Sequence, residues 1–300
     1  MIPTISYEEM LRRLDEAKAW LKALKISIDG TRFGIYYDNL KEIVTWHSNG
    51  ADIDSLFHIM SLETAYYSLT ESNALIAIYE AFNGLDQDHL PKRKLRMMLE
   101  GPALPSAEVP GDANVNPRNI LFEIELATRF VKAGFRVNDF QDINFDFQEF
   151  RINIECKRPN TKKSVTGNID EGCKQLLKRD PTHGLTSRNI IAISVDKVFE
   201  IDKKRFFFAD ERDIEKEVDK KVGDFQKTYH KTLNKLFDKN ILALLLVFKF
   251  MCEVRSQELL TSVFWVGGIS LKRQIGNFIL ADHKLLEDIK KQMKQSGWQK

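Results

Sequence analysis

Cysteine is scarce in this chain, and no apolar run is long enough to cross a membrane. The three cysteines, Cys156, Cys173 and Cys252, form no C-x-x-C pair and have no histidine partners at zinc-ligand spacing. This pattern excludes a zinc module and is typical of a protein kept in a reducing compartment. The longest apolar run, Ile241 to Phe248, is far too short for a transmembrane helix, so we expect no membrane contact.

Several sequence signatures are also missing. The N-terminus has no basic and apolar leader pattern, no G-x-x-x-x-G-K-[ST] loop occurs, and neither a G-x-S-x-G motif nor a fixed-period repeat is found. An ATP-driven motor is therefore excluded, and a cytoplasmic location is expected. With 43% hydrophobic and 29% charged residues among 300, the composition indicates a globular protein of one large domain or two smaller ones.

Proline and glycine are concentrated in one segment. Gly101 to Pro117 holds four prolines and two glycines, which predicts a boundary near residue 110. We expect a mostly helical N-terminal region over 1–110, whose role in target recognition or partner binding stays open, and a second domain over 111–300. The segment Thr31 to Tyr37 is interpreted as a hairpin arm. Helices are predicted over Tyr7–Leu24, Asp38–Trp46, Asp52–Phe82 and Pro91–Leu99.

The most informative stretch runs from Asp142 to Lys157 and alternates polar and apolar residues. A reversal at Gln148-Glu149 pairs Asp142 with Glu155 in a β-hairpin. The turn has no Asn-Gly or Asp-Gly signature, so a bulge that shifts the pairing by one residue stays open. The two faces of the predicted hairpin are Ile143, Phe145, Phe147, Ile152, Ile154 and Cys156 on the apolar side, and Asp142, Asn144, Asp146, Asn153, Glu155 and Lys157 on the polar side.

A helix with an inward carboxylate is predicted just upstream, over Arg118 to Lys132. Glu123 shares its face with apolar side chains, whereas Glu125 shares a face with polar ones and is expected to be solvated. A carboxylate on an apolar face is costly unless a cation or hydrogen-bond donors meet it. A metal ion held by Asp142 and Glu155 would be such a cation; backbone groups or Lys157 are the alternative.

These elements together resemble the PD-(D/E)xK, or restriction-endonuclease-like, nuclease superfamily. The resemblance covers about residues 117 to 198 and rests on a helix with Phe122-Glu123, then Gly134-Phe135-Arg136-Val137, then the pattern D-x12-E-C-K-R-P. It implies an αβββαβ core in which Asp142 and Glu155 are metal ligands and Lys157 is catalytic. The residues implied beyond these are Glu123 as an auxiliary catalytic carboxylate and Cys156 as a metal ligand through its carbonyl.

The match to the superfamily departs at one position. Gln141 stands where many members have proline, although the neighbouring carboxylate, not the proline, would bind metal. Asp146, on the same hairpin face, is the alternative first carboxylate. An E-x-K pattern alone occurs by chance in many strands, so Glu155 and Lys157 can also be read as an ordinary surface pair of little energetic value.

Phosphodiester hydrolysis explains why these residue types would stand together. Mg²⁺ or Mn²⁺ prefers oxygen ligands, keeps several waters and neutralises charge on the reacting phosphate. Asp142 and Glu155 would supply the oxygens. Lys157, a compact point charge, would orient or help to deprotonate the attacking water. The cofactor expected is therefore Mg²⁺ or Mn²⁺.

Basic residues are concentrated next to this motif. Residues 151–180 hold eight basic and four acidic side chains, a local excess above the net charge of +2 for the whole chain. Such an excess suits a polyanionic substrate, although an ordinary solvated helix face is the alternative for each lysine. The residues expected to contact nucleic acid are Arg158, Lys162, Lys163, Gln175 and Lys178.

The remaining elements complete the predicted architecture. A helix over Asn168 to Arg179 and a strand over Asn189 to Val198 finish an αβββαβ order with a mixed sheet, so the predicted fold class is α/β with a helical N-terminal region. The helix predicted over Asp210 to Phe237 has an apolar stripe, interpreted as core packing with room for a homodimer contact. Further strands are predicted over Ile241–Phe250 and Ser262–Gly267, and a final helix over Asp282–Lys294.

The sequence therefore predicts a Mg²⁺-dependent phosphodiesterase, a nuclease acting on DNA in preference to RNA. A catalytically inactive protein of the same fold that binds nucleic acid or a protein is the alternative. In a third interpretation, a helical interaction protein, the hairpin is only structural. Sequence specificity, endonuclease against exonuclease action and the biological pathway are not predicted.

Overall fold

The computed structural model describes residues 5–50, 52–86, 89–108, 116–139, 143–179, 186–236, 241–254, 259–271 and 278–295. Among these residues, no helix has both the length and the apolar character needed to cross a bilayer. The fold is mixed α/β with a mixed open sheet, as the sequence predicted.

Helices dominate the first hundred residues. They are α1 (Tyr7–Ala23), α2 (Arg32–Ser48), α3 (Ile53–Ile59), α4 (Leu62–Phe82) and α5 (Lys92–Met97). The hairpin arm predicted for residues 31–37 is wrong, because this segment forms the start of α2. Its apolar residues recur at helical spacing, and Phe33, Tyr36 and Leu40 are all buried on one face.

The middle of the chain forms the elements α6 (Asn116–Lys132), β1 (Val137–Asp139), β2 (Asn144–Phe147), β3 (Phe150–Lys157), α7 (Val165–Leu177) and β4 (Thr186–Ser194). This is the αβββαβ order that the sequence predicted. The β2–β3 pair is antiparallel and the β3–β4 pair is parallel, which makes the sheet mixed.

The hairpin has the predicted register. Asn144 pairs with Asn153 and Phe147 pairs with Phe150, so the reversal occupies only Gln148 and Glu149. Gln148 adopts φ 55°, a left-handed conformation that a tight two-residue turn requires. The apolar face is buried at Ile143, Phe145, Ile152 and Ile154, and the alternative register shifted by one residue is not adopted.

The last elements are β5 (Phe206–Phe207), α8 (Glu211–Asn234), β6 (Ile241–Val254), β7 (Leu259–Ser270) and α9 (Phe278–Gln295). The strand order is β1-β2-β3-β4-β6-β5, and β7 also pairs with β6. Helix α8 is kinked at Tyr229, where φ is −108° and ψ is 18°. Its apolar stripe, including Ile214, Val218 and Phe225, is buried within the chain, as core packing requires.

Two compact units divide the chain. Unit 1 comprises Met1–Thr128, Asp202–Glu211 and Lys249–Val263, and unit 2 comprises Arg129–Ile201, Arg212–Phe248 and Phe264–Lys300. This division differs from the predicted single boundary near residue 110. Helix α4 explains the difference, because it gathers later segments into unit 1: the Tyr66 hydroxyl donates to the Lys249 carbonyl at 2.9 Å, and the Tyr67 hydroxyl donates to Asp202 at 2.9 Å.

A buried ionic network lies inside unit 1. Glu71 of α4 accepts from Arg32 Nε and Arg118 Nε, each at 2.7 Å. Arg118 also donates to Glu108 at 2.7 Å and to the Tyr36 hydroxyl at 2.9 Å. Burial raises the pKa of Glu71, but attraction by the two guanidinium groups and their hydrogen bonds outweigh it and lower the pKa to about 2. Glu71 therefore stays charged and joins α2, α4 and α6.

Candidate active site

Strand β3 presents Glu155 and Lys157 on one face, and helix α7 covers them. Lys157 Nζ donates to Gln175 Oε1 at 2.5 Å and lies 3.1 Å from Glu155 Oε1. A second carboxylate, Glu171, lies 3.6 Å from the same nitrogen. The side chains of Lys157 and Glu155 are only 12% and 13% exposed, so this ammonium is held in a fixed position at the edge of the solvent.

A glycine in α7 lies next to these two side chains. A Cβ placed on Gly172 would lie 3.4 Å from Glu155 Cγ and 3.4 Å from Lys157 Cε. By contrast, a Cβ on Gly167, earlier in the same helix, would meet no atom within 4 Å. A methyl group at residue 172 would therefore just touch the two charged residues of the E-x-K motif, and a larger side chain would need the space that they fill.

Arg179 belongs to the site, although it was not among the site residues that the sequence predicted. Its Nη2 donates to Glu155 Oε2 at 2.5 Å, and its Nη1 donates to the Ile154 carbonyl at 3.4 Å. Its side chain is 17% exposed. Arg179 follows the end of α7 at Leu177, so no helical spacing in the sequence indicated its position. Gln175, expected to contact nucleic acid, accepts a hydrogen bond from Lys157.

Two further positions on the polar face of the hairpin are engaged elsewhere. Asn153 is buried and donates to Ser187 Oγ at 2.8 Å and to Asn189 Oδ1 at 3.2 Å. Asp146, the alternative first carboxylate, accepts two hydrogen bonds from Arg151 at 2.7 Å and 2.9 Å. The hydrogen bonds that Arg151 donates to Asp146 raise the pKa of Arg151. Asp142, the first choice for that role, lies outside the described residues.

The two glutamates of α6 exchange the environments that the sequence predicted. Glu125, expected in solvent, is 2% exposed, and Lys249 Nζ of β6 lies 2.5 Å from its carboxylate. Glu123, expected to point inward, is half-buried in unit 1 and accepts from Lys94 Nζ at 2.7 Å. The predicted orientation of Glu125 was wrong because α6 is buried on more than one side: Thr128, which lies on the same helix face as Glu125, is also fully buried.

The predicted phosphate-contacting residues surround α7. Lys162 and Lys163 form an exposed 3-10 turn before the helix, Lys178 follows its end in an exposed position, and Arg158 is half-buried after β3. Cys156 lies between Glu155 and Lys157 and forms no disulfide within the part of the chain that the structure describes. The exposed lysines leave positive charge beside the E-x-K motif.

The donor set limits how a cation could be held. Within the described ranges, no three side chains of histidine, cysteine, aspartate or glutamate cluster as metal ligands would. Glu155 is the one predicted carboxylate ligand that these ranges contain at the motif, so the fit of a divalent cation depends on Asp142 as its partner. Comparisons with protein-family models, curated proteins and solved structures found no match for this chain.

Proposed function

We propose that the chain is a metal-dependent nuclease that hydrolyses phosphodiester bonds in DNA. The observation that carries the proposal is the position of the Lys157 ammonium, held between Glu155 and Gln175 where β3 meets α7. The αβββαβ order and the hairpin register add support. The observed register is the same one that the sequence predicted when it paired Asp142 with Glu155. Asp142, Glu155 and the Cys156 carbonyl would bind Mg²⁺ or Mn²⁺.

Each residue has a separate task in this proposal. When bound, a divalent cation supplies charge neutralisation and a more acidic water. Lys157 orients the attacking water and steadies a phosphate oxygen through its fixed positive charge. Gln175 accepts from Lys157 and keeps its ammonium directed at the site. The resemblance also implies Glu123 as an auxiliary carboxylate, and in the structure Glu123 pairs with Lys94.

A non-catalytic function is the second candidate, and one observation favours it. Both oxygens of Glu155 are engaged, one with Lys157 and the other with Arg179. Two cations beside one carboxylate weaken its attraction for a third. In that case the fold would bind nucleic acid or a protein through its basic surface without cleaving a bond.

Cleavage assays on the intact chain test the nuclease proposal. The protein is incubated with supercoiled, linear and single-stranded DNA and with RNA, each with Mg²⁺ or with EDTA. We expect nicking that needs the metal and falls by about 100-fold or more in Lys157→Ala, since general acid–base groups contribute about that much. Lys290→Ala is the matched control, because Lys290 is an exposed lysine of unit 2 that pairs only with Glu287 among the described residues.

Calorimetric titration separates the two candidates. Mg²⁺ or Mn²⁺ should bind the wild type and bind weakly or not at all to Asp142→Ala and Glu155→Gln. Equal heats for the wild type and both variants, together with equal background cleavage in Lys157→Ala, would exclude the nuclease and leave the binding function.

A further inference from the structure

The last part of α8, which ends at Asn234, and the two residues after it have an unusual charge distribution. From Phe225 to Leu236 the sequence contains no acidic residue, whereas the first half of the helix carries acids and bases together. The kink at Tyr229 falls within this segment. The basic side chains of the segment are three lysines, named here the α8 lysine strip: Lys227, Lys231 and Lys235.

Lys227 and Lys231 lie in α8 on either side of the kink at Tyr229, and Lys235 lies in the turn directly after the helix. The three lysines follow each other at four-residue intervals along the sequence. All three are exposed, while Phe225, Tyr229 and Leu236 form the buried face. None of the three lysines forms an ion pair with a residue that the structure describes. Their charge is therefore not neutralised within these parts of the chain.

Two contacts fix the position of this half-helix. The Tyr229 hydroxyl donates to the Lys162 carbonyl at 3.0 Å, and the Thr232 hydroxyl lies 3.1 Å from the Thr166 hydroxyl. The half-helix is thus attached to the 3-10 turn that carries Lys162 and Lys163. Five exposed lysines from two distant parts of the sequence are brought to one end of α7.

We propose that the α8 lysine strip, with Lys162 and Lys163, binds the sugar–phosphate backbone of a nucleic acid. The assignment rests on the proposed function for the identity of the polyanion. A row of unneutralised lysines matches a row of phosphates and releases its counterions on binding. An anionic membrane is disfavoured, because a helix that lies on lipid exposes apolar side chains and this half-helix buries its own. A protein partner is disfavoured because interfaces between proteins are depleted in lysine.

The distance from the E-x-K motif sets the length of substrate that can use the strip. Val165, at the start of α7, and Gln175, which contacts Lys157, are separated by about 15 Å along the helix. At about 3.4 Å per nucleotide, this corresponds to about four or five nucleotides. The strip would therefore hold the strand several nucleotides from the bond that is cut, and very short substrates would not reach it.

The test compares two triple variants with the same change in net charge. In the strip variant, Lys227, Lys231 and Lys235 are each replaced by Glu. The control variant carries the same replacement at three exposed lysines of unit 2 outside the strip: Lys220, Lys284 and Lys291. Binding of fluorescent DNA, about 30 nucleotides in length and either single- or double-stranded, is followed by anisotropy in EDTA from about 50 to 200 mM salt.

We expect the strip variant to bind DNA at least tenfold more weakly than the control variant does. The slope of log K against log salt should be smaller in magnitude by about three for the strip variant, because each lysine neutralises one phosphate. In Mg²⁺, the cleavage rate of a trimmed substrate of about four nucleotides should be the same in the two variants, because a strand held at the E-x-K motif is then too short to reach the strip. Equal binding and equal slopes for the two variants would overturn the proposal. Binding to phosphatidylserine vesicles without binding to DNA would overturn it too.

The same experiment separates this proposal from the nuclease proposal. DNA binding that depends on the strip, without Mg²⁺-dependent cleavage, would support the strip and exclude the nuclease. Mg²⁺-dependent cleavage of long DNA that is equal in the strip and control variants would support the nuclease and exclude the strip. Circular dichroism of both variants checks that α8 remains folded.

Discussion

Gly172 is the position where a single methyl group tests the geometry of the candidate site. Its Cβ would stand 3.4 Å from both Glu155 Cγ and Lys157 Cε, at the short end of ordinary van der Waals contact. Gly167 offers a matched control in the same helix, because its Cβ would meet open space. Replacing each glycine with Ala, and then with Leu, separates the intrinsic helix effect from the contact with the motif.

The expected magnitudes follow from these distances. Gly→Ala inside a helix stabilises by about 0.5–1 kcal/mol, and Gly167→Ala should gain that amount. Gly172→Ala should gain a similar amount, because its Cβ would make ordinary van der Waals contact with Glu155 and Lys157. Gly172→Leu needs space that those side chains fill, so we expect it to destabilise by about 1–3 kcal/mol and to displace the Lys157 ammonium.

Urea unfolding and cleavage rates measure the two consequences separately. A displacement of about 1 Å at a catalytic group costs roughly 100-fold in rate, so Gly172→Leu should lose cleavage while circular dichroism still shows a folded chain. Gly167→Leu should keep both its stability and its cleavage rate. If Gly172→Leu matches Gly167→Leu in both assays, α7 does not lie on Glu155 and Lys157, and the reasoning fails.

Three further predictions concern single carboxylates and one arginine. Glu71→Gln should destabilise by about 3–5 kcal/mol at pH 7 in urea unfolding, because buried arginines lose their counter-charge. The pKa of Glu71 is lowered from 4.5 to about 2, so its contribution to stability is complete above pH 4.5 and is lost as the pH falls towards 2. The variant should therefore lose less stability than the wild type over that range. Equal losses of unfolding free energy in the two proteins would contradict this. Asp146→Asn should leave cleavage nearly intact, since Asp146 already pairs with Arg151, whereas Asp142→Asn should abolish cleavage. If a nicking assay showed that Asp146→Asn loses cleavage and Asp142→Asn keeps it, Asp146 would be the metal ligand instead. Arg179→Gln should tighten Mn²⁺ binding in calorimetry by removing a competing cation from Glu155, and unchanged affinity would show that Arg179 does not compete.

Local pattern determined much of this chain before tertiary structure was considered. Strict alternation on both arms of the hairpin left one register that buries Ile143, Phe145, Ile152 and Ile154 together, and that register is observed. Helical spacing with terminal signals located α6 and α7 within a few residues. The E-x-K motif brought Glu155 and Lys157 to one face because side chains in a strand repeat every second residue.

Tertiary packing decided what these periodicities leave open. Whether Glu123 or Glu125 is buried depends on which elements cover α6, and Lys249, more than a hundred residues away, supplies the cation that lets Glu125 be buried. The same holds for Arg179, whose partner Glu155 lies on a different element. The sequence shows which residues share a helix face. Burial and ion pairing, however, depend on residues that only the folded chain brings near, and such contacts form the candidate site.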